Sequence, residues 1–223
     1  MSDTAFDYYA HRKHGHEHDD DHAPVAGQDS GPPSEYEIMS RAMQELLEAK
    51  GVVTADEIRR RMEIFEEEFP YRGSRVIARA WTDPAFKTRL LKDGKAACAE
   101  MGVELEATRL IAVENTPEVH NVIVCTLCSC YPRELLGMPP TWYKSDNYRA
   151  RVVREPRSVL KEFGTVLPEN VTVRVHDSNA DMRYVVVPMR PQGTKGFSEE
   201  QLAEILTRDT LVGVTVPRVP AKP

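Results

Sequence analysis

Three of the four cysteines, Cys125, Cys128 and Cys130, fall within six residues, directly after the apolar run Val122-Ile123-Val124. No other stretch restricts the chain as tightly. A strand ending in a loop that gathers three thiols at one point has the geometry of a metal site. The spacing is C-x2-C-x-C, and its last interval is the informative one. With the sulfurs of Cys128 and Cys130 on one metal, the backbone nitrogens of Ser129 and Cys130 fall between them. Cys130 nitrogen and sulfur close a five-membered chelate ring, the two nitrogens close another, and Cys128 sulfur with Ser129 nitrogen closes a six-membered one. The outcome is a planar S-N-N-S set, with Cys125 as an axial thiolate and one position open for a reacting molecule. Amide nitrogens bind only when deprotonated, which calls for a strong Lewis acid such as trivalent cobalt or iron.

Simpler readings stand beside this one. A structural zinc site wants four Cys or His ligands, and His120 is an available fourth at an awkward spacing. A disulfide between cysteines this close is strained. Buried inert cysteines are common singly, and Cys98, alone on a predicted helix, is read as one.

The stretch Val-Cys-Thr-Leu-Cys-Ser-Cys-Tyr-Pro at 124–132 resembles the metal-binding signature of the nitrile hydratase α subunit. The likeness continues through Val113–Asn121, Gly137–Ser145, Tyr148-Arg149, Val153–Arg157, Arg183-Tyr184, Arg190-Pro191 and Thr207–Asp209, and spans residues 35–215. The γ subunit of thiocyanate hydrolase is a close relative with the same loop. The resemblance implies metal ligation by Cys125, Cys128, Ser129 and Cys130, with Ser129 giving its backbone nitrogen. It implies Cys128 as a sulfinate, Cys130 as a sulfenate and Cys125 as a thiolate, with Cys130 and Ser129 as the catalytic residues. Thr126 matches the cobalt type, the iron type carrying serine there, so the implied cofactor is non-corrin Co(III), with Fe(III) second. The implied reaction is hydration of a small nitrile to its amide. The implied partners are a β subunit, in an αβ or α2β2 assembly, whose arginines hold the oxidised sulfurs, and an activator protein that loads cobalt. Two departures stand out. Family members commonly continue Pro-Trp-Pro where this chain has Pro132-Arg133-Glu134, and Glu106 falls where hydratases usually place a glutamine. A Cys-Tyr-Pro-Arg continuation and a His-rich N-terminus are features of thiocyanate hydrolase γ subunits. A further alternative is a non-enzymatic cobalt-handling protein that docks to a true enzyme.

Composition agrees with a soluble globular protein: 223 residues, 41% hydrophobic and 29% charged, enough for one sizeable core. The net charge of −6 argues against nucleic acid, and no apolar run approaches the ~18 residues of a membrane span. Clustered reactive thiols without an apolar leader point to the cytoplasm.

Along the chain, residues 1–33 read as a disordered tail in which His11, His14, His16, His18 and His22 alternate with acidic residues. The tail is either a store or delivery arm for metal or a solvated segment that binds it incidentally. Residues 34–108 read as a helical arm with further helices. Ser34 and Thr54 open capping boxes. The first helix shows Tyr36, Met39, Met43, Leu46 and Leu47 on one face. The second carries Ile58, Met62, Phe65 and Phe69 and stops at Pro70. The arm packs on the core or on a partner. A third helix is expected over 74–82, and a fourth from Asp83-Pro84 to about Met101. Residues 109–216 read as the metal-binding α+β domain, and 217–223 as a tail. Its strands are expected at 110–113 and 119–124, a pair around Asp177-Ser178-Asn179, and a last one over 211–216. Helices over 146–153 and 156–163 carry Arg149, Arg151, Arg154 and Arg157. Each is a solvated or subunit-contact residue, or a donor to sulfur oxyanions. The fold class is α+β: a helical N-terminal arm followed by a mixed α/β metal-binding domain.

Overall fold

A computed structural model describes residues 32–63, 69–105 and 109–219. The His-rich segment up to residue 31, Phe65 and Glu106 lie outside the described residues. Helix α1 (Glu35–Ala49) begins at Ser34, whose hydroxyl accepts the Glu37 amide while the Glu37 carboxylate accepts the Ser34 amide at 2.6 Å. Helix α2 (Ala55–Glu63) starts at the matching Thr54–Glu57 box. Neither helix buries a residue in the chain alone.

Helix α3 (Phe69–Thr82) begins earlier than the periodicity predicts. Pro70, the residue expected to stop the preceding helix, lies within α3. The expected fourth helix is two, α4 (Pro84–Lys92) and α5 (Gly94–Glu100). Asp93 divides them: it is the C-cap of α4 and turns to accept the Ala96 amide as the N-cap of α5. Gly94 can follow because the Leu110 carbonyl lies against it, 2.7 Å from where a Cβ would stand.

Among the described residues, four strands form two separate two-stranded parallel sheets. β1 (Arg109–Glu114) pairs with β4 (Met182–Val187), Leu110 opposite Arg183, and β2 (Val119–Val124) pairs with β3 (Thr172–Asp177), Val122 opposite Val175. The expected pair around Asp177 is therefore not a hairpin: β3 and β4 each find a parallel partner far back in the chain. β4 also lies against β2. Val122 to Val124 are buried, as the near-continuous apolar reading of a parallel strand covered on both faces requires.

Between β2 and β3 lie α6 (Arg133–Leu136), α7 (Thr141–Lys144), α8 (Asp146–Arg154) and α9 (Pro156–Glu162), followed after β4 by α10 (Glu199–Glu204) and α11 (Arg208–Val212). The expected strand over 211–216 is the end of α11 and its exit. The Thr207 box commits the chain to a helix, and Gly213, at φ 91°, ends it. The core gathers Val76 and Ile77 of α3, Leu135 and Leu136 of α6, Val185 to Val187 of β4, and Leu211. Cys98 is buried within it, its thiol pushed up to about 12 by desolvation.

A buried polar network ties β2 to its surroundings. His120 donates from Nε2 to the Gly213 carbonyl at 2.7 Å, and its Nδ1 meets the Asn115 side-chain amide at 3.3 Å. Asn115 Oδ1 accepts from the Asn121 backbone and side-chain nitrogens at 2.8 and 2.9 Å. Asn121 Oδ1 in turn accepts from His176 Nε2 at 2.8 Å.

Candidate metal centre

β2 runs out at Val124, and the chain enters the loop at Cys125, which is buried. The loop then turns back on itself: the Cys128 amide donates to Cys125 Sγ at 3.2 Å. Cys128 is exposed and Cys130 half-buried. The three sulfurs lie within 4.8 Å of one another, with Cys125–Cys128 at 3.5 Å and Cys128–Cys130 at 3.3 Å. Those separations are far beyond a covalent S–S bond, and all four cysteines are free.

Three contacts hold the loop from outside. At its entry, the Asp177 carboxylate at the end of β3 accepts the Thr126 amide at 2.9 Å and the Thr126 hydroxyl at 2.5 Å. At its turn, Arg149 of α8 donates to the Cys128 carbonyl at 3.2 Å. At its exit, the Tyr143 hydroxyl donates to the Cys130 carbonyl at 2.9 Å. Tyr143 is itself wedged among Tyr131, Trp142 and Tyr148, with ring centroids 5.0 to 5.9 Å apart, and Tyr148 is tied to the Ile123 carbonyl of β2 at 2.7 Å. The loop is therefore anchored to a rigid aromatic wall, a condition for holding ligands in a fixed geometry.

The thiols are not equivalent. Cys128 is drawn below the usual thiol range, first by the Cys130 thiol that bonds to it, with help from Cys125 and the backbone amides of Ser129 and Cys130. Cys130 is pushed up to about 12, first by desolvation and then by its bonds to the other two sulfurs, against a pull from the positive charge of Arg183. Of these two thiols, Cys128 therefore gives up its proton more readily than Cys130 in the metal-free chain.

His120, the possible fourth zinc ligand, is not in this group; both its ring nitrogens are engaged in the polar network. Of the four arginines on α8 and α9, Arg149 alone reaches the loop. Arg151 pairs with Glu155 and Glu162, Arg154 donates to the Ala150 carbonyl, and Arg157 donates to carbonyls at 167–171. Asp177 and Tyr143 hold the loop and are the residues that sequence reasoning passed over as part of the site. Asp177 carried a signal, an acidic residue closing a β-rich run, but it reads equally well as a turn. Beside the loop, a cavity of about 380 Å³ is lined by Thr126, Asp146, Arg149, Ala150, Val153 and Arg154. A cavity of about 450 Å³ between α4, α5 and β1 contains no cysteine.

The model of the family described as nitrile hydratase, alpha chain, matches residues 34–215. The chain belongs to that family. Among nitrile hydratase α chains, it is 50% identical over 205 residues to the low-molecular weight cobalt-containing nitrile hydratase subunit alpha of Rhodococcus rhodochrous, covering 90% of this chain and 98% of the relative. It is 44% identical over 197 residues to the thiocyanate hydrolase subunit gamma of Thiobacillus thioparus, covering 83% and 81%. A solved double mutant of the Fe-type nitrile hydratase from Comamonas testosteroni Ni1 superposes with a TM-score of 0.77 at 42% identity, covering 86% of this chain and 98% of that one. The nitrile hydratase α-chain resemblance read from the cysteine loop thus holds across the described domain.

Proposed function

We propose that this chain is the metal-bearing catalytic subunit of a cobalt nitrile hydratase, which hydrates small nitriles to amides. The observation that carries the reading is the convergence of three sulfurs within 4.8 Å on a loop pinned at entry, turn and exit. A chain half identical to a cobalt-containing α subunit supports it. The donor set fits a small, strongly Lewis-acidic ion. Cys125, Cys128 and Cys130 supply sulfur donors, Ser129 and Cys130 supply backbone nitrogens, and Thr126 matches the cobalt type. Low-spin Co(III) in this set supplies Lewis acidity toward a nitrile nitrogen or a water molecule.

The chain's own residues do the rest. Cys130, carried as a sulfenate, holds at its oxygen the proton taken from the attacking water; Cys128, carried as a sulfinate, lowers electron density in the set. Tyr143 and Asp177 keep the loop from shifting as charge changes. Cys128 and the Leu127 side chain, 84% exposed, face outward, so the centre is completed by another surface. A β subunit in an αβ or α2β2 assembly fits that need, with an activator protein for cobalt loading and the cytoplasm as the working compartment.

One observation favours a second reading. Arg133 stands exposed in the first turn of α6, three residues after Cys130, where family members commonly carry tryptophan. A cation there suits an anionic substrate, as in a thiocyanate hydrolase γ subunit. The test is co-production with the partner subunit in cobalt medium, followed by acrylonitrile and thiocyanate side by side. Acrylamide alone upholds the hydratase; carbonyl sulfide and ammonia from thiocyanate replace it with the hydrolase. Bound cobalt, unoxidised cysteines and neither product would make the chain a cobalt-handling protein.

A further inference from the structure

The cavity of about 450 Å³ between α4, α5 and β1 shares no lining residue with the cysteine loop or with the cavity beside that loop. Its size is that of a small-molecule site. Packing sets its walls. Helices α4 and α5 both lie on β1, and Asp93 caps the end of one and the start of the other. The Leu110 carbonyl stands 2.7 Å from where a Gly94 Cβ would be, so strand and helix are in close backbone contact. Leu110 is buried, and Leu91 and Ile111 beside it are half-buried, which gives the cavity an apolar side.

The other side is cationic. Lys92 ends α4, Lys95 stands in the first turn of α5, and Arg109 opens β1; all three line the cavity. In a chain of net charge −6, the neighbouring cations of α4 have partners: Lys87 pairs with Glu114 and Arg89 with Glu100, each at 2.8 Å. Lys92, Lys95 and Arg109 form no ion pair among the described residues. Asp93 is the carboxylate of the lining, and its Oδ1 is engaged by the Ala96 amide at 3.1 Å. Three cations against one carboxylate leave a surplus of positive charge. Lys92 suits the C-terminal end of its helix, but a cation in the first turn of α5 opposes the helix dipole, so Lys95 gains nothing from its own helix. Like charges around a concave surface concentrate the field inside it and attract an anion of matching charge.

We propose that this cavity is a binding site for a small organic phosphate monoester. The phosphoryl oxygens accept from Lys92, Lys95 and the forked guanidinium of Arg109, and the organic part lies against Leu91 and Ile111. A phosphate monoester is close to doubly charged at neutral pH, whereas a nitrile is neutral and thiocyanate carries one charge. The ligand is therefore a different molecule from the substrate of either reaction considered above.

Wild type and the combined variant Lys92→Gln, Lys95→Gln, Arg109→Gln are each co-produced with the partner subunit in cobalt medium. Each is titrated by calorimetry with phenyl phosphate, inorganic phosphate and phenol, at one ionic strength held with chloride. Wild type is expected to take up one phenyl phosphate per chain, more tightly than inorganic phosphate and far more tightly than phenol. The variant is expected to bind phenyl phosphate roughly tenfold more weakly or worse, with cobalt per chain unchanged. No heat of binding in wild type overturns the proposal. So does equal affinity in wild type and variant, which would put the bound anion elsewhere, for example at the cysteine loop. Equal affinity for inorganic phosphate and phenyl phosphate overturns the ester assignment, and phenol bound as tightly as its phosphate overturns the role of the cations. If the combined variant does not fold, Lys95→Gln alone decides: wild-type affinity for phenyl phosphate overturns the proposal.

Discussion

Asp177 accepts both the amide and the hydroxyl of Thr126, so one carboxylate at the end of β3 clamps the first residue inside the cysteine loop. Bidentate acceptance by a charged group is stronger and more directional than either bond alone. Thr126→Val, which keeps the shape and deletes the hydroxyl, should cost about 1 kcal/mol in urea unfolding of the metal-free chain. Asp177→Ala, which deletes both acceptors, should lower cobalt per chain further than Thr126→Val does. Full cobalt loading in Asp177→Ala would show that the clamp is dispensable for the site.

Stability should depend on pH through two imidazoles, His120 buried and His176 half-buried. His120 is held below its ordinary 6.5, first by desolvation, in spite of its bond to the Gly213 carbonyl. His176 is lowered for the same first reason, with the charge of Arg174 adding to it. A depressed folded value means that the unfolded chain binds the proton first. Their contribution is therefore whole above pH 6.5 and is lost as pH falls below it. Urea midpoints should drop between pH 7.5 and pH 5.5, and the drop should be smaller in His176→Asn; equal slopes would dismiss the assignment to His176.

Gly213 has no room for a side chain. A Cβ there would stand 2.1 Å from the Asn121 carbonyl oxygen, at a φ of 91° that L residues rarely adopt. Gly213→Ala should destabilise the chain by about 3 kcal/mol, from overpacking and backbone strain together. Because the Gly213 carbonyl also receives His120, the same variant should flatten the pH dependence.

The local signals in this sequence were legible and the distant ones were not. Ser34 with Glu37 and Thr54 with Glu57 announce helices that form as read, since a capping box is complete within four residues. The cysteine loop was legible for the same reason. Asp93 escaped notice because an aspartate inside a helical pattern can be tolerated or can reset the helix, and only the close approach of Leu110 to Gly94 decides. The strand partners were illegible because parallel pairing leaves no turn between partners. Asp177 and Tyr143 reach the loop from other elements, so no spacing could reveal them.

Helix α1 presents Tyr36, Met39, Met43 and Leu46 to solvent, Tyr36 at 81% exposure. Such an apolar stripe at helical spacing is costly unless covered. Met39→Asp with Met43→Asp should leave the melting temperature of the isolated chain unchanged, since neither side chain is buried there, and should abolish co-purification of the partner subunit. Retained co-purification would move the contact elsewhere.

Arg133→Trp should raise kcat/KM for a neutral nitrile relative to thiocyanate by roughly tenfold, an exposed cation being exchanged for an apolar wall. Competition assays with the two substrates measure the ratio directly. No change in the ratio would place Arg133 outside the substrate's reach.

The span between Thr126 and Asp177 is fifty-one residues, and β1 likewise waits for β4. Chains leave the ribosome from the N-terminus at ~5–20 residues per second, so the thiols emerge several seconds before their anchor exists. During that interval the loop is three soft ligands without a fixed shape, open to whichever soft divalent ion arrives first. Fidelity of metal choice is thus a matter of timing as much as of coordination: the centre takes its shape only once synthesis has passed Asp177, well into the last third of the chain.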